Sequence, residues 1–158
     1  MMLLPDQSSR SSKWLFRAWH GRTTAHFRIR YRPRGADMRI LVVEDQQDTR
    51  QVLTGLLRRW GYDVFPADSL KSGMDRLETE PPIDVILSDI GLPDGSGYAL
   101  VSEARRRGKR VLAIALSGYA YPSDVRIAKL AGFDHHLSKP CDCHYLHTIL
   151  QDRARWTT

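Results

Sequence analysis

The sequence predicts a doubly wound α/β sandwich, a parallel sheet with helices on both faces. Three observations carry this. From Met38 onward, apolar runs alternate with segments of helical period five times in about 120 residues, without insertions. The runs are continuous rather than alternating, as strands buried on both faces require. Polar residues also end several of the runs in the same way, with Glu44-Asp45 after the first, Asp89 after the third, Ser117 after the fourth and Lys139 after the fifth.

The first run, Arg39–Val43, holds Ile40, Leu41, Val42 and Val43. In Gln46–Trp60, the residues Thr49, Val52, Leu53, Leu56, Leu57 and Trp60 have the spacing of one helix face, and Gly61 stops it. Tyr62–Pro66 is a short second strand. Asp68 or Ser69 can cap a helix carrying Leu70, Met74 and Leu77, and Pro81-Pro82 closes it. Ile83–Ser88 is the third strand, landing on Asp89 and a Gly/Pro-rich turn. Tyr98–Arg107 turns Leu100, Val101 and Ala104 inward and places Arg105, Arg106 and Arg107 in a last turn, where cations suit the helix dipole. Arg110–Leu116 is the fourth run. Pro122 opens a fourth helix that Gly132 ends, Phe133–Ser138 is a poorer fifth strand, and Asp142–Arg155 forms a last helix burying Leu146, Ile149 and Leu150.

Charge is unevenly spread. Residues 1–37 carry eight Arg or Lys against Asp6 and Asp37, whereas residues 38–158 carry 16 side chains of each sign. The basic pI of 9.6 therefore describes the leading segment, and net charge gives no argument for nucleic-acid binding by the body. Residues 1–37 show no sustained period. A basic arm, an organelle transit peptide and a disordered extension are competing readings. We take the third, with domain boundaries at 1–37 and 38–155. Cys141 and Cys143 are one residue apart and cannot staple distant segments, which argues for a reducing, cytoplasmic setting. No apolar run approaches the ~20 residues of a membrane span.

A carboxylate in the crevice beyond the strand ends can be a nucleophile, a base or a metal ligand. Here the neighbours choose. Three crowded carboxylates, Glu44, Asp45 and Asp89, repel one another and call for a cation, and all-oxygen ligands suit Mg²⁺. Lys139 adds a fixed positive charge and Ser117 a hydroxyl donor. Such a set is what phosphoryl transfer requires, with Asp89 as nucleophile forming an acyl phosphate.

The stretch from Met38 to about Gln151 resembles the receiver domains of two-component response regulators. The resemblance rests on Val42-Val43-Glu44-Asp45, on Asp89 followed by Leu92-Pro93-Asp94-Gly95-Ser96-Gly97, on Leu116-Ser117-Gly118 and on Lys139-Pro140. It implies a flavodoxin-like five-stranded parallel sheet of order 2-1-3-4-5. It further implies that Asp89 is the phosphoacceptor, that Asp45, Asp89 and the Gly91 carbonyl bind Mg²⁺, and that Glu44 acts partly through water. Ser117 would be the switch hydroxyl, Lys139 would pair with phosphate, and the Lys139-Pro140 bond would be cis. The sequence departs from the family at His136, where an aromatic switch residue is usual; a histidine can gain charge below about pH 6.5. Gly91 and Tyr119 occupy two positions that govern phosphoryl lifetime.

The function so implied is a phosphorylation-dependent signalling switch, not an enzyme acting on other molecules. It would accept phosphate from a histidine kinase or histidine phosphotransfer protein. Output would run to a downstream protein, or to a homodimer, through the face of the fourth helix, fifth strand and fifth helix. A stand-alone receiver is expected, since only Asp152–Thr158 follow the last apolar positions. A phosphorelay intermediate or a hybrid-kinase receiver fragment is the alternative, as is a nucleic-acid-binding protein acting through the basic arm. A haloacid-type phosphatase wants a second Asp two residues after the nucleophile, where Gly91 stands. Cys141, Cys143, His144 and His147 cluster in sequence, but structural zinc sites favour two-residue gaps and a second ligand pair, so packing and surface histidines are the reading adopted.

Overall fold

In the computed structural model, residues 38–118 and 121–155 are described; the expectations for residues 1–37 and for Tyr119 lie outside them. Five strands, β1 (Arg39–Val43), β2 (Asp63–Ala67), β3 (Val85–Asp89), β6 (Leu112–Ser117) and β7 (His135–Ser138), form one sheet in the order β2-β1-β3-β6-β7. Every pairing in it is parallel. Counted along this sheet alone, that is the expected 2-1-3-4-5 arrangement. Between β3 and β6 sits a small antiparallel hairpin, β4 (Gly91–Leu92) and β5 (Gly95–Ser96). Strands of two residues are too short to show a period in the sequence. The hairpin forms because Pro93-Asp94 makes the turn and Leu92 is buried.

The helices are α1 (Gln47–Arg59), α2 (Leu70–Thr79), α3 (Gly97–Arg106), α4 (Pro122–Ala131) and α5 (Cys143–Arg155). Successive residues of each central strand point to opposite faces, so the continuous apolar runs feed two cores. Ile40, Val42, Val85, Leu87, Ile114 and Leu116 pack with Leu53 and Leu57 of α1 and Leu146, Ile149 and Leu150 of α5. Leu41, Val43, Ile86, Ala113 and Ala115 pack with Leu77 of α2, Leu100, Val101 and Ala104 of α3, and Ala128 of α4. Val52 does not belong to the buried face of α1. It is 68% exposed, and Thr54 takes the inward position beside Leu53 and Leu57. The apolar stripe is centred on 53 and 57, and a 100° step per residue carries position 52 off it.

Helix starts follow their caps. Ser69 and Ser72 form a capping box on α2, Ser96 caps α3, and Asp142 Oδ1 accepts from the N–H groups of His144 and Tyr145 at the head of α5. Gly132 ends α4 in the left-handed region at φ 101°. Pro66 is tolerated because β2 is an edge strand. Arg105 does more than suit the dipole of α3. Its guanidinium donates to the carbonyls of Val111 and Gly132 and to Asp134 Oδ2, tying α3 to the starts of β6 and β7.

Candidate functional site

The carboxyl ends of β1, β3, β6 and β7 bring the sequence-predicted residues to one edge of the sheet. Glu44 directly follows β1 and is fully buried, Asp45 beside it is exposed, and Asp89 closes β3. One carboxylate oxygen from each of these three lies within 4.8 Å of the others. Ser117 ends β6, paired in register with Ser138, while its neighbour Leu116 pairs with Asp89. The Lys139 N–H donates to the Ser117 carbonyl at 2.7 Å, which fixes the chain leaving β7 against the end of β6. The Lys139-Pro140 peptide is cis.

Lys139 bridges two acids. Its Nζ donates to Asp89 Oδ2 at 2.6 Å and lies 2.7 Å from Glu44 Oε2. The second approach is an ion pair that compensates the charge of the buried Glu44 carboxylate. Burial raises the Glu44 carboxyl above its ordinary value, outweighing the lowering effect of Lys139. Burial alone would depress Lys139. Asp89 and Glu44 together outweigh that and hold its ammonium above the usual value. Three converging carboxylates thus meet a single ammonium group that pairs with two of them, a deficit that a hard divalent cation fits. Gly91 N–H donates to the other Asp89 oxygen, Oδ1, at 3.1 Å.

The turn after Asp89 is held closely. Ser88, fully buried, donates its hydroxyl to the Asp89 carbonyl at 2.8 Å, and Gly97 N–H donates to the Ile90 carbonyl at 3.0 Å. A Cβ at Gly97 would strike the Asp89 carbonyl oxygen and the Ser88 hydroxyl, so only glycine lets α3 start this close to the end of β3. Asp94 caps a different helix from its own. Its two oxygens accept from the N–H groups of Leu70 at 2.7 Å and Lys71 at 2.8 Å, fastening the hairpin to the head of α2.

Sequence reasoning missed three contributors, Ser88, Arg50 and the cap made by Asp94. Arg50 donates to the carbonyls of Glu44 and Asp45. A cation one turn into the helix that follows the acidic pair is the signal that points to it. The Asp94 contact crosses to the head of α2, a distant segment, and the Ser88 hydroxyl turns to the next residue's carbonyl, a choice that residue type alone does not fix.

His136 lies on β7, half-buried, with Nε2 buried and without a hydrogen-bond partner. The Cys/His segment does not assemble. Among the described residues, Glu44, Asp45 and Asp89 are the group of three or more His, Cys, Asp or Glu side chains that converge. His147 instead stacks on Trp60 with ring centroids 4.3 Å apart, and burial pushes the half-buried Cys141 thiol up to about 11. No helix among the described residues is long and apolar enough to cross a membrane.

The chain is similar to known proteins in sequence and fold. An uncharacterized 14.6 kDa protein from the sodA1 3' region of Leptolyngbya boryana is 38% identical over 109 residues, covering 68% of this chain and 82% of that one. The KDP operon transcriptional regulatory protein KdpE of Escherichia coli is 40% identical over 101 residues, covering 64% of this chain and 44% of the regulator. The chain therefore spans less than half of that regulator's length. The crystal structure of a CheY-like response regulator receiver domain protein from Methanospirillum hungatei superimposes with a TM-score of 0.70 at 27% identity, over 75% of this chain and 94% of its own. Residues 40–151 match the family described as the response regulator receiver domain, and the chain belongs to that family.

Proposed function

We propose that this chain is a phosphorylation-dependent switch that accepts a phosphoryl group on Asp89 from a phosphohistidine of a histidine kinase or histidine phosphotransfer protein. The observation that carries the reading is the shared contact of Lys139 with Asp89 and Glu44 beside the exposed Asp45. A lone pair on an Asp89 carboxylate oxygen forms the new O–P bond. The P–N bond breaks, and its electrons leave with the donor imidazole, which takes up a proton. Asp45, Asp89 and the Gly91 carbonyl would hold Mg²⁺, with Glu44 acting partly through water. The ion would supply charge neutralisation on the phosphoryl oxygens.

Every other part belongs to the chain. Lys139, already on Asp89, keeps its ammonium beside the acquired phosphate and repays the charge that Asp89 gains. The Ser117 hydroxyl donates to a phosphoryl oxygen, and movement of the β6 end frees room that the half-buried His136 ring can fill. Output passes to a downstream protein, or to a second copy of the chain, through α4, β7 and α5. Those elements carry exposed apolar side chains, Ile127 and the 82% exposed Leu130 on α4 and Tyr145 on α5.

Incubating the full chain with a small acyl phosphate and Mg²⁺ tests this directly. The expected result is a mass increase of one phosphoryl group, removed by hydroxylamine and lost with EDTA. Equal labelling of Asp89→Asn would sink the assignment.

A further inference from the structure

Arg50 sits six residues after Glu44 in the first turn of α1, half-buried. A single guanidinium nitrogen, Nη1, donates to the Glu44 carbonyl at 2.5 Å and to the Asp45 carbonyl at 3.0 Å. Its backbone N–H donates to the Gln46 carbonyl at 2.9 Å. The guanidinium therefore spans the turn that presents Asp45.

Glu44 itself is held, its N–H donating to the Ala67 carbonyl at 3.1 Å, but the turn beyond it is lightly held. Gln46 stands at the N-cap of α1 and makes no side-chain cap bond, whereas Ser69 and Ser96 secure α2 and α3 from the same position. The side-chain contacts around Gln46 are long. Gln46 N–H meets Glu44 Oε1 at 3.4 Å, and the Thr49 hydroxyl meets Gln46 Oε1 at 3.5 Å. An exposed carboxylate on an uncapped turn has no reason to stay aimed at two others that repel it. Yet Asp45 converges with Glu44 and Asp89.

We infer that Arg50 is a positioning residue that takes the Glu44 and Asp45 carbonyls, fixes the β1–α1 turn, and so aims the Asp45 carboxylate for divalent-cation binding. The inference rests on the proposed phosphoacceptor site and adds to it a residue that touches neither phosphate nor metal. Two roles for the guanidinium give opposite signs. As a bare charge, it repels a nearby divalent cation, so removing it would tighten binding. As a clamp, it pre-aligns a ligand, so removing it loosens binding, as loss of outer-shell partners generally does. A planar guanidinium suits the second role, because its donors have a fixed geometry that an ammonium lacks.

The experiment is calorimetric titration of MgCl₂ into the full chain and into Arg50→Gln and Arg50→Lys, with no phosphodonor present. Thermal melts in EDTA check that each variant is folded. In Arg50→Gln the Mg²⁺ Kd rises about tenfold. Arg50→Lys falls between, keeping the charge and part of the carbonyl contact. Phosphorylation of Arg50→Gln by a small acyl phosphate recovers at saturating Mg²⁺, because the acceptor itself is unaltered. Equal or tighter Mg²⁺ binding by Arg50→Gln overturns the clamp alone, as does a phosphorylation defect that saturating Mg²⁺ does not relieve. If the unaltered chain binds no Mg²⁺, the clamp falls together with the site it serves.

Discussion

Lys139 Nζ stands 2.6 Å from Asp89 Oδ2, and the same nitrogen is the nearest compensating charge for the fully buried Glu44. Removing it leaves a buried carboxylate unpaired. Lys139→Met should therefore destabilise the metal-free protein by about 3 kcal/mol, read from urea midpoints, with Mg²⁺ restoring part of the loss. A variant as stable as the parent would show that Glu44 finds compensation elsewhere.

Glu44 sets a pH dependence. Its carboxyl is raised above 4.5 in the folded chain, chiefly by burial, so the native state binds a proton more readily than the unfolded one. Stability from this group is fully present below the unfolded value and is lost as pH rises through the folded value. Without Mg²⁺, melting temperature should decline over that window, and Glu44→Gln should flatten the decline. Mg²⁺ affinity should move the opposite way, weakening as pH falls through the same window. A Glu44→Gln profile parallel to the parent's would remove this argument.

Gly97 leaves no space for a methyl group between α3 and the end of β3. Gly97→Ala should cost about 1–3 kcal/mol in denaturant unfolding and slow phosphorylation, because the atoms it displaces are the Asp89 carbonyl and the Ser88 hydroxyl. Unchanged stability and rate would mean that the turn relaxes freely.

Phosphoryl lifetime should be long. Hydrolysis needs a water held in line opposite the Asp89 oxygen, and Gly91 has no side chain to hold one. Gly91→Asn combined with Tyr119→Glu should shorten the phosphoryl half-life several-fold at constant Mg²⁺. An unchanged or longer half-life in the double variant is the contrary outcome.

Deleting residues 1–37 should leave folding and phosphorylation intact. Residues 38–158 are charge-balanced, and among the described residues both cores are supplied from Met38 onward. Far-UV circular dichroism and phosphoryl labelling of the truncated chain check this. An unfolded or unlabelled product would move the domain boundary upstream.

The sheet was legible because strands buried on both faces are written as unbroken apolar runs, such as Ile40–Val43 and Leu112–Leu116, and because glycines and serines mark the helix ends. Glu44, Asp45, Asp89, Ser117 and Lys139 were legible as polar residues that interrupt those runs on one side. Val52 was misread because a valine at a helix-compatible spacing carries no record of which residue is the stripe's centre. The hairpin after Asp89 was invisible, its strands being two residues each with no room for a period. The clamp by Arg50 and the caps by Asp94 depend on where a flexible side chain ends up, which spacing alone does not encode.

The acceptor and its lysine are 50 residues apart in the chain, and they meet only because β7 lies beside β6 and the Lys139 N–H is tied to the Ser117 carbonyl. A chain emerging from the ribosome has Asp89, Glu44 and Asp45 long before it has the last strand. Until that strand docks, the carboxylates lack their ammonium partner. Under the proposed function, phosphate uptake would therefore wait for the last strand, and a chain cut short before Lys139 would take up none.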